Sequence, residues 1–459
     1  MGAILKYLGL LFFFTLFSYG DWREKYQDPA FDLTLSFRGD GIHILRADQI
    51  EIKNYPYDFD DPHRSNYGKL GIFINRYIEV SEGVKISRGA NVVKGIEINI
   101  NDVSAVPEEQ FKTLVGDLNL FLWSLGLGLE HLKISLPFEY SSDVRRWTVE
   151  SLLGSGVEGQ QRRWSGTESE VEGFVSKECA ENGQERLPEL QSGLLVYDRL
   201  KLSSIELSGA FLTPRVASGL AEILSKTHSE NVTFRFDQSD VSADFFGVLE
   251  KSLHVRKISE LKITRCDLTD RYLLPYRDEN GTGTLYHLLN GLKETCRVLD
   301  FSGWDRDALP LPEDYQERCR GVQSLRSSFE GAAEADVPEL LPVKKMVWLL
   351  AEFDHLEELS LESMRLTSDE FTILAQIVRV LPIRYLDLSK NIFYELHQDK
   401  TGQGQIWMPK KLLKSLQEKT NLRFLGLKGT GVNTLNEHSE VQEAIETIMT
   451  NNPGIRITY

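Results

Sequence analysis

The stretch LEELSLESMRLTSDEFTILAQIVRVLPIRYLDLSKNIF, from Leu356 to Phe393, says one phrase almost twice. Leucines at alternate positions in LEELSLE give way to an apolar stripe at helical spacing, Phe371, Leu374, Ile377 and Val378, and the alternation then returns in IRYLDLS. Period-two alternation marks a strand with one buried face, and a period near 3.6 marks an amphipathic helix. The stretch therefore predicts strand, turn, helix, turn, and the opening of a second such unit.

Leu356, Leu359, Leu361, Met364 and Leu366 fit the frame L-x-x-L-x-L-x-x-N-x-L with Met in the polar slot. Ile383, Leu386, Leu388, Asn391 and Phe393 fit it again 27 residues later. The frame recurs at Leu202, Ile205, Leu207, Ala210 and Leu212, at Phe234, Phe236, Ser239 and Val241, and at Ile258, Leu261, Ile263, Cys266 and Leu268. Further copies start at Val93 (Ile96, Ile98, Asn101, Val103), Cys296 (Leu299, Phe301) and Leu422 (Leu425, Leu427, Thr430, Val432), with weaker ones at Leu129 and at the C-terminal Ile455 and Ile457. A second stripe, Val216, Leu220, Ile223 and Leu224, follows the Leu202 copy. No single unit can bury its apolar face alone, so neighbours must stack. In the Asn, Cys or Thr slot a side chain turned inward can bond backbone groups left unpaired at the bend.

These residues resemble the leucine-rich repeat proteins, and the 27 to 30 residue period is similar to that of the ribonuclease-inhibitor-like subclass. The resemblance covers most of residues 93 to 459. It implies an α/β leucine-rich repeat solenoid, curved, with parallel strands on the concave face and helices on the convex face. Residues 21–92 do not show the repeat clearly. FDLTLSF, IHILRADQIEIKN and GIFINRYIEV alternate there, which predicts a β-rich N-terminal cap or small domain. The first repeats occupy 93–140, a polar Gly/Ser-rich insertion or linker with Trp147 and Trp164 occupies 141–195, and the solenoid continues over 196–459. Insertions are expected near 270–290, 311–342 and 397–411.

The first twenty residues carry Lys6, the apolar run LGLLFFFTLF and then the small residues Ser18 and Gly20 ahead of DWREKYQ. That is the layout of a secretory signal peptide, too short to span a bilayer, with cleavage expected after Gly20 and a secreted or extracytoplasmic mature chain without a membrane span. Sequons stand at Asn231 (NVT) and Asn280 (NGT). The 4 cysteines are too few to form a scaffold, and Cys266 falls in the inward slot of a repeat, where a buried thiol is expected. At a formal net charge of −16 with no long Lys/Arg run, nucleic acid is not an expected partner.

The chain has no G-x-S-x-G elbow, H-E-x-x-H, paired C-x-x-C, P-loop, or G-x-G-x-x-G opening a helix after a strand. No catalytic residues, metal ligands or cofactors are predicted, and the chain is not expected to be an enzyme. What remains is a surface. One column of strand residues would run Glu97, Lys133, Glu206, Arg235, Lys262, Asp300, Ser360, Asp387, Gly426, Arg456. Its neighbour would run Asn99, Ser135, Ser208, Asp237, Thr264, Ser302, Glu362, Ser389, Lys428, Thr458, with the aromatics Tyr385 and Phe424 in the column before. The expected function is recognition of a protein ligand by these columns and the insert loops. The alternatives are a structural component of a surface or matrix, an exported effector, or an enzyme with its site in the N-terminal region.

Overall fold

A computed structural model describes residues 31–46, 51–57, 93–101, 106–125, 128–137, 140–155, 192–242, 244–266, 268, 283–303, 346–347, 349–364, 366, 368–391, 396–398, 404–406, 410–430 and 439–459. The architecture is mixed α/β, built on one sheet of 13 strands that does not close into a barrel. In chain order the strands and helices are β1 (Leu33–Arg38), β2 (Gly41–Arg46), β3 (Glu51–Tyr55), β4 (Gly95–Ile100), α1 (Glu108–Leu125), β5 (His131–Ser135), α2 (Ser142–Leu153) and β6 (Ser204–Ser208). There follow β7 (Phe211–Leu212), α3 (Pro214–Lys226), β8 (Val232–Asp237), β9 (Asp240–Val241), α4 (Phe245–Glu250), β10 (Ile258–Thr264), α5 (Leu285–Leu292), β11 (Val298–Asp300) and β12 (Glu358–Ser360). The C-terminal part adds α6 (Ser368–Val380), β13 (Tyr385–Asp387), β14 (Leu396–Gln398), β15 (Gly404–Ile406), α7 (Lys410–Gln417), β16 (Phe424–Gly426), α8 (Ser439–Asn451) and β17 (Arg456–Thr458).

The order across the large sheet is β17-β16-β13-β12-β11-β10-β8-β6-β5-β4-β1-β2-β3. From β5 to β17 every strand of the large sheet pairs in parallel with the strand of that sheet before it in the chain. At the other end, β1 joins β4 in parallel and turns back through β2 and β3 in antiparallel pairs. His43 on β2 fastens this end. Its Nδ1 lies 2.8 Å from Glu51 of β3 and its Nε2 2.8 Å from Asp40 of the β1–β2 turn. The bond from His43 also holds the Asp40 carboxyl below its usual range.

The alternation read from sequence decides which face is which. Ile96, Ile98, Ile205, Leu207, Phe234, Phe236, Leu261, Ile263, Leu359 and Leu386 are all at most 1% exposed. They share one core with the helix residues Val216, Leu220, Leu288, Phe371 and Leu374. Consecutive helices pack on one another along the same side, among them α3 on α4 and α6 on α7. Thr213 caps α3, accepting the Val216 amide on its hydroxyl with Pro214 in the first turn. A partly buried ion pair adds a tie on this side: Arg145 of α2 reaches Asp240 at 2.5 Å and the Gly209 carbonyl at 3.3 Å.

The inward slot works through particular bonds. Asn391, fully buried, donates to the carbonyls of Leu361 (2.7 Å) and Leu388 (3.0 Å), while its own oxygen takes the Leu366 amide (3.2 Å). Thr430 donates to Leu427, and Cys266 to the Phe236 carbonyl of the preceding unit. Asn101 departs from the expectation: it is exposed and reaches across to Ser36 of β1 at 2.7 Å. One position earlier in the frame, Gly209, Gln238, Arg265, Gly303, Ser363, Lys390 and Gly429 all adopt left-handed backbone, φ between 47° and 75°. That turn swings the slot residue inward.

Some expected insertions hold regular structure. Within 141–195, Ser141 caps α2, whose Thr148, Val149, Leu152 and Leu153 are buried, and Trp147 packs 6.3 Å from Phe111. Trp164, with the rest of 156–191, lies outside the described residues. The end of 270–290 is α5, with buried Leu285, Leu288, Leu289 and Leu292. The β14–β15 hairpin stands at 397–411, and α7 begins inside that span. The stretches 1–20, 71–80 and 311–342, and Asn280, lie outside the described residues.

Candidate functional site: the polar face of the sheet

Because side chains alternate along a strand, the residues between the buried ones form rows across the opposite face, one per strand. The register places Glu97, Lys133, Glu206, Arg235, Lys262, Asp300, Ser360, Asp387 and Gly426 in a single row, as the spacing predicted. The last strand corrects the reading: Arg456 sits opposite Phe424, and Thr458 takes the place beside Gly426. The chain turns through Asn452 to Ile455 in its own way, so counting from the apolar pair alone misplaced the strand by two residues. Asn99, Ser135, Ser208, Asp237 and Thr264 form the neighbouring row. Backbone bonds from Gly303 to Glu362, Ser363 to Ser389 and Lys390 to Lys428 continue the pairing along the turns. Glu358, Tyr385 and Phe424 make the row before.

The first row is a charge ladder. Thr34 donates to Glu97 at 3.0 Å; Lys133 lies 3.0 Å from Glu97 and 3.3 Å from Glu206; Arg235 lies 2.9 Å from Glu206. Lys262 follows beside Arg235, with Glu260 3.6 Å away on its own strand. Alternating signs compensate one another as far as Arg235, and there two cations meet. The consequence is opposite for the two lysines. Burial alone would lower the Lys133 ammonium, but Glu206 and Glu97 together outweigh it and raise it above the ordinary lysine value. Lys262 is lowered, by burial first and by Arg235 next, with Glu260 and Asp300 offsetting only part.

Beyond Lys262 the row closes on itself. Asp300 accepts both the amide (3.0 Å) and the hydroxyl of Ser302, whose oxygen is 2.7 Å from the Ser360 hydroxyl. Asp387 accepts the Ser389 amide at 2.9 Å. Gly426 makes room for that carboxylate, since a Cβ there would meet the Asp387 oxygen at 2.2 Å. Asp300, Asp387 and Lys262 are buried. So is Phe424, at 3% exposure, which corrects its placement as an aromatic offered to a partner. Tyr385 is half-buried and Lys428 exposed.

Asp237 anchors the next row, accepting Thr264 at 2.6 Å and the guanidinium of Arg265 at 2.9 Å through Nε. Glu362 pairs with Lys390 at 2.8 Å. Arg265 and Lys390, 57% and 61% exposed, escaped the sequence reading because they stand at the left-handed turn position, one residue past the alternation. At the N-terminal ends of the strands a cleft of about 250 Å³ is lined by Asn231, Ser259, Glu260, Arg297, Val298, Glu357 and Glu358. Asn231 is exposed at its rim.

Cys266 and Cys296 are free and buried, and burial pushes both thiols up to about 12, so neither is an activated nucleophile. Among the described residues no group of three or more His, Cys, Asp or Glu side chains is arranged to hold a metal ion, and no helix is long and apolar enough to cross a membrane. No protein-family model matches the chain, and no curated protein matches it.

Proposed function

We propose that the chain is a secreted leucine-rich repeat solenoid of the ribonuclease-inhibitor-like subclass, and that it recognises a protein ligand through the concave, strand-lined face. The observation that carries this reading is the polar rows: nine strands of the large sheet each contribute one residue to the same row, partly exposed from Glu97 to Arg235 and buried from Lys262 to Asp387. Strand order that follows chain order from β4 to β17, and the left-handed turn repeated at one frame position, support the repeat architecture behind it. The accessible parts of the surface are the partly exposed Glu97, Lys133, Glu206 and Arg235, together with Tyr385, Arg265, Lys390 and Lys428. The mixture of signs favours a protein ligand with a complementary mosaic over a uniformly charged polymer.

The test is capture of secreted proteins on the immobilised chain, comparing wild type with the triple variant Arg235→Ala, Lys390→Ala, Lys428→Glu and with a control at two exposed arginines outside the rows, Arg256→Glu in the turn before β10 and Arg379→Glu in the last turn of α6. The triple variant is expected to weaken the captured complex at least about tenfold, roughly 1.4 kcal/mol, while the control binds as wild type. Equal binding by all three proteins, or equal loss in both variants, would sink the concave-face reading.

A further inference from the structure

Of the two sequons, Asn231 has a described setting, and that setting is suited to carrying a sugar. Asn231 is exposed and closes the turn that precedes β8. The backbone of this turn is held by Ser229, whose hydroxyl accepts the Asn231 amide N–H at 3.2 Å and donates to the Asn231 carbonyl at 2.6 Å. These bonds occupy the main chain and leave the carboxamide outside them. Val232 dives into the core at 1% exposure, and Thr233, the third sequon residue, lies on the polar face. Asn231 is one of the residues that line the 250 Å³ cleft, with Ser259, Glu260, Arg297 and Glu357 among the others.

We propose that Asn231 is an N-glycosylation site, and that its glycan roofs the N-terminal rim of the sheet and leaves the opposite rim, with Arg265, Lys390 and Lys428, as the side from which a protein ligand approaches. The inference rests on the secretory reading above. In the transfer, Asn231 Nδ2 forms a bond to the anomeric carbon of a lipid-diphosphate-linked oligosaccharide supplied by the secretory apparatus. The bond from that carbon to the diphosphate oxygen breaks, the amide gives up one proton, and the lipid diphosphate leaves; nothing is oxidised or reduced. The glycan is hydrophilic and bulky, and an exposed turn accepts it without disturbing β8.

The experiment expresses the full chain in a eukaryotic secretory cell in two forms, one with its own residues 1–20 and one with a proven leader in their place, both carrying Asn280→Gln. Enzymatic deglycosylation in heavy-oxygen water then marks a formerly occupied Asn231 as labelled Asp. The expected result is a single mobility step in the medium, lost in Asn231→Gln and Thr233→Ala and kept in Thr233→Ser. Radical footprinting should show Arg297 and Glu357 gaining reactivity on deglycosylation while Lys428 does not change. Secreted chain with unmodified Asn231 in both forms overturns the site. Protection of Lys428 in place of Arg297 overturns the screening. Retention of the own-leader form inside the cell, with the proven-leader form glycosylated, overturns the secretory reading and upholds the acceptor site.

Discussion

Lys133 and Lys262 occupy equivalent places three strands apart in one row, and their neighbours give them opposite energetic signs. Lys133 joins two carboxylates; Lys262 is buried against a guanidinium. Replacing Lys133 with Met leaves Glu97 with the Thr34 hydroxyl among the described residues and is expected to cost about 1–3 kcal/mol. Replacing Lys262 with Met removes a buried charge whose protonated form is disfavoured and is expected to stabilise by about 1 kcal/mol. The pH dependences differ as well. A lysine raised in the fold binds its proton more tightly there, so the Lys133 contribution is complete below the ordinary lysine value of about 10.4 and is lost as pH climbs through its raised one. A lysine lowered in the fold is the reverse: as pH rises through its lowered value toward the ordinary one, the unfolded chain holds the extra proton and stability increases. Urea melts from pH 7 to pH 10 should therefore show the advantage of Lys262→Met shrinking and the deficit of Lys133→Met persisting. Both variants moving stability in the same direction at pH 7 would refute the ladder account. The row was legible in the sequence because a strand's alternation fixes which residues share a face. The burial of Phe424 and Asp387 was not, because it depends on what neighbouring strands place beside them, and alternation says nothing about that.

At the scale of the element, seven strands, β6, β8, β10, β11, β12, β13 and β16, are each followed by one residue in left-handed backbone, and the position after it can turn inward. The slot was readable from Asn391, Thr430 and Cys266, since those side chains can bond a bend's free carbonyls. The residue before it was hidden, because Gly, Gln, Arg, Ser and Lys all occur there and only glycine advertises the conformation. The identities differ in how much they matter. At Gly209 an added Cβ would lie 2.0 Å from the Leu136 carbonyl oxygen, with φ at +65°. Gly209→Ala is expected to destabilise by about 3 kcal/mol or more. At Lys390 the side chain already tolerates φ of 58° and its ammonium pairs with a partly exposed Glu362. Lys390→Gly relieves the strained backbone and loosens the unfolded chain, and is expected to fall within about 1 kcal/mol of wild type. Thermal melts of the two variants check this, and a large loss in Lys390→Gly or none in Gly209→Ala would show that the turn is not the repeated determinant. The helices of the expected insertions were missed for a related reason. SSDVRRWTVESLL reads polar, and only the core around Trp147 and Val149 reveals which side of it is buried.

At the scale of the molecule, the strand order follows the chain from β4 to β17, so this part of the sheet is held mainly by contacts between neighbours in sequence and stability should vary along it. β6, β8 and β10 have a partner on each side, run 5 to 7 residues, and bury Ile205, Leu207, Phe234, Phe236, Leu261 and Ile263 completely. The C-terminal strand β17 has 3 residues, one neighbour and only half-buried side chains. The β3 edge likewise has one neighbour and exposes Glu51 and Lys53. Native-state amide exchange is therefore expected to be slowest in β6 to β10 and faster at β3 and β17 by on the order of 100-fold or more. The gradient separates two kinds of architecture. A domain folded around one non-sequential core would protect all its sheet amides to a similar level, because its strands open together in one global step. A chain of nearest-neighbour units would fray inward from its ends, with protection falling strand by strand past β11, where the strands shorten to 3 residues. Uniform protection from β4 to β17 would remove the energetic basis for reading the sheet as a stack of repeats, whereas a graded profile would place the most rigid part of the polar face at Glu206 and Arg235, in the partly exposed part of the ladder.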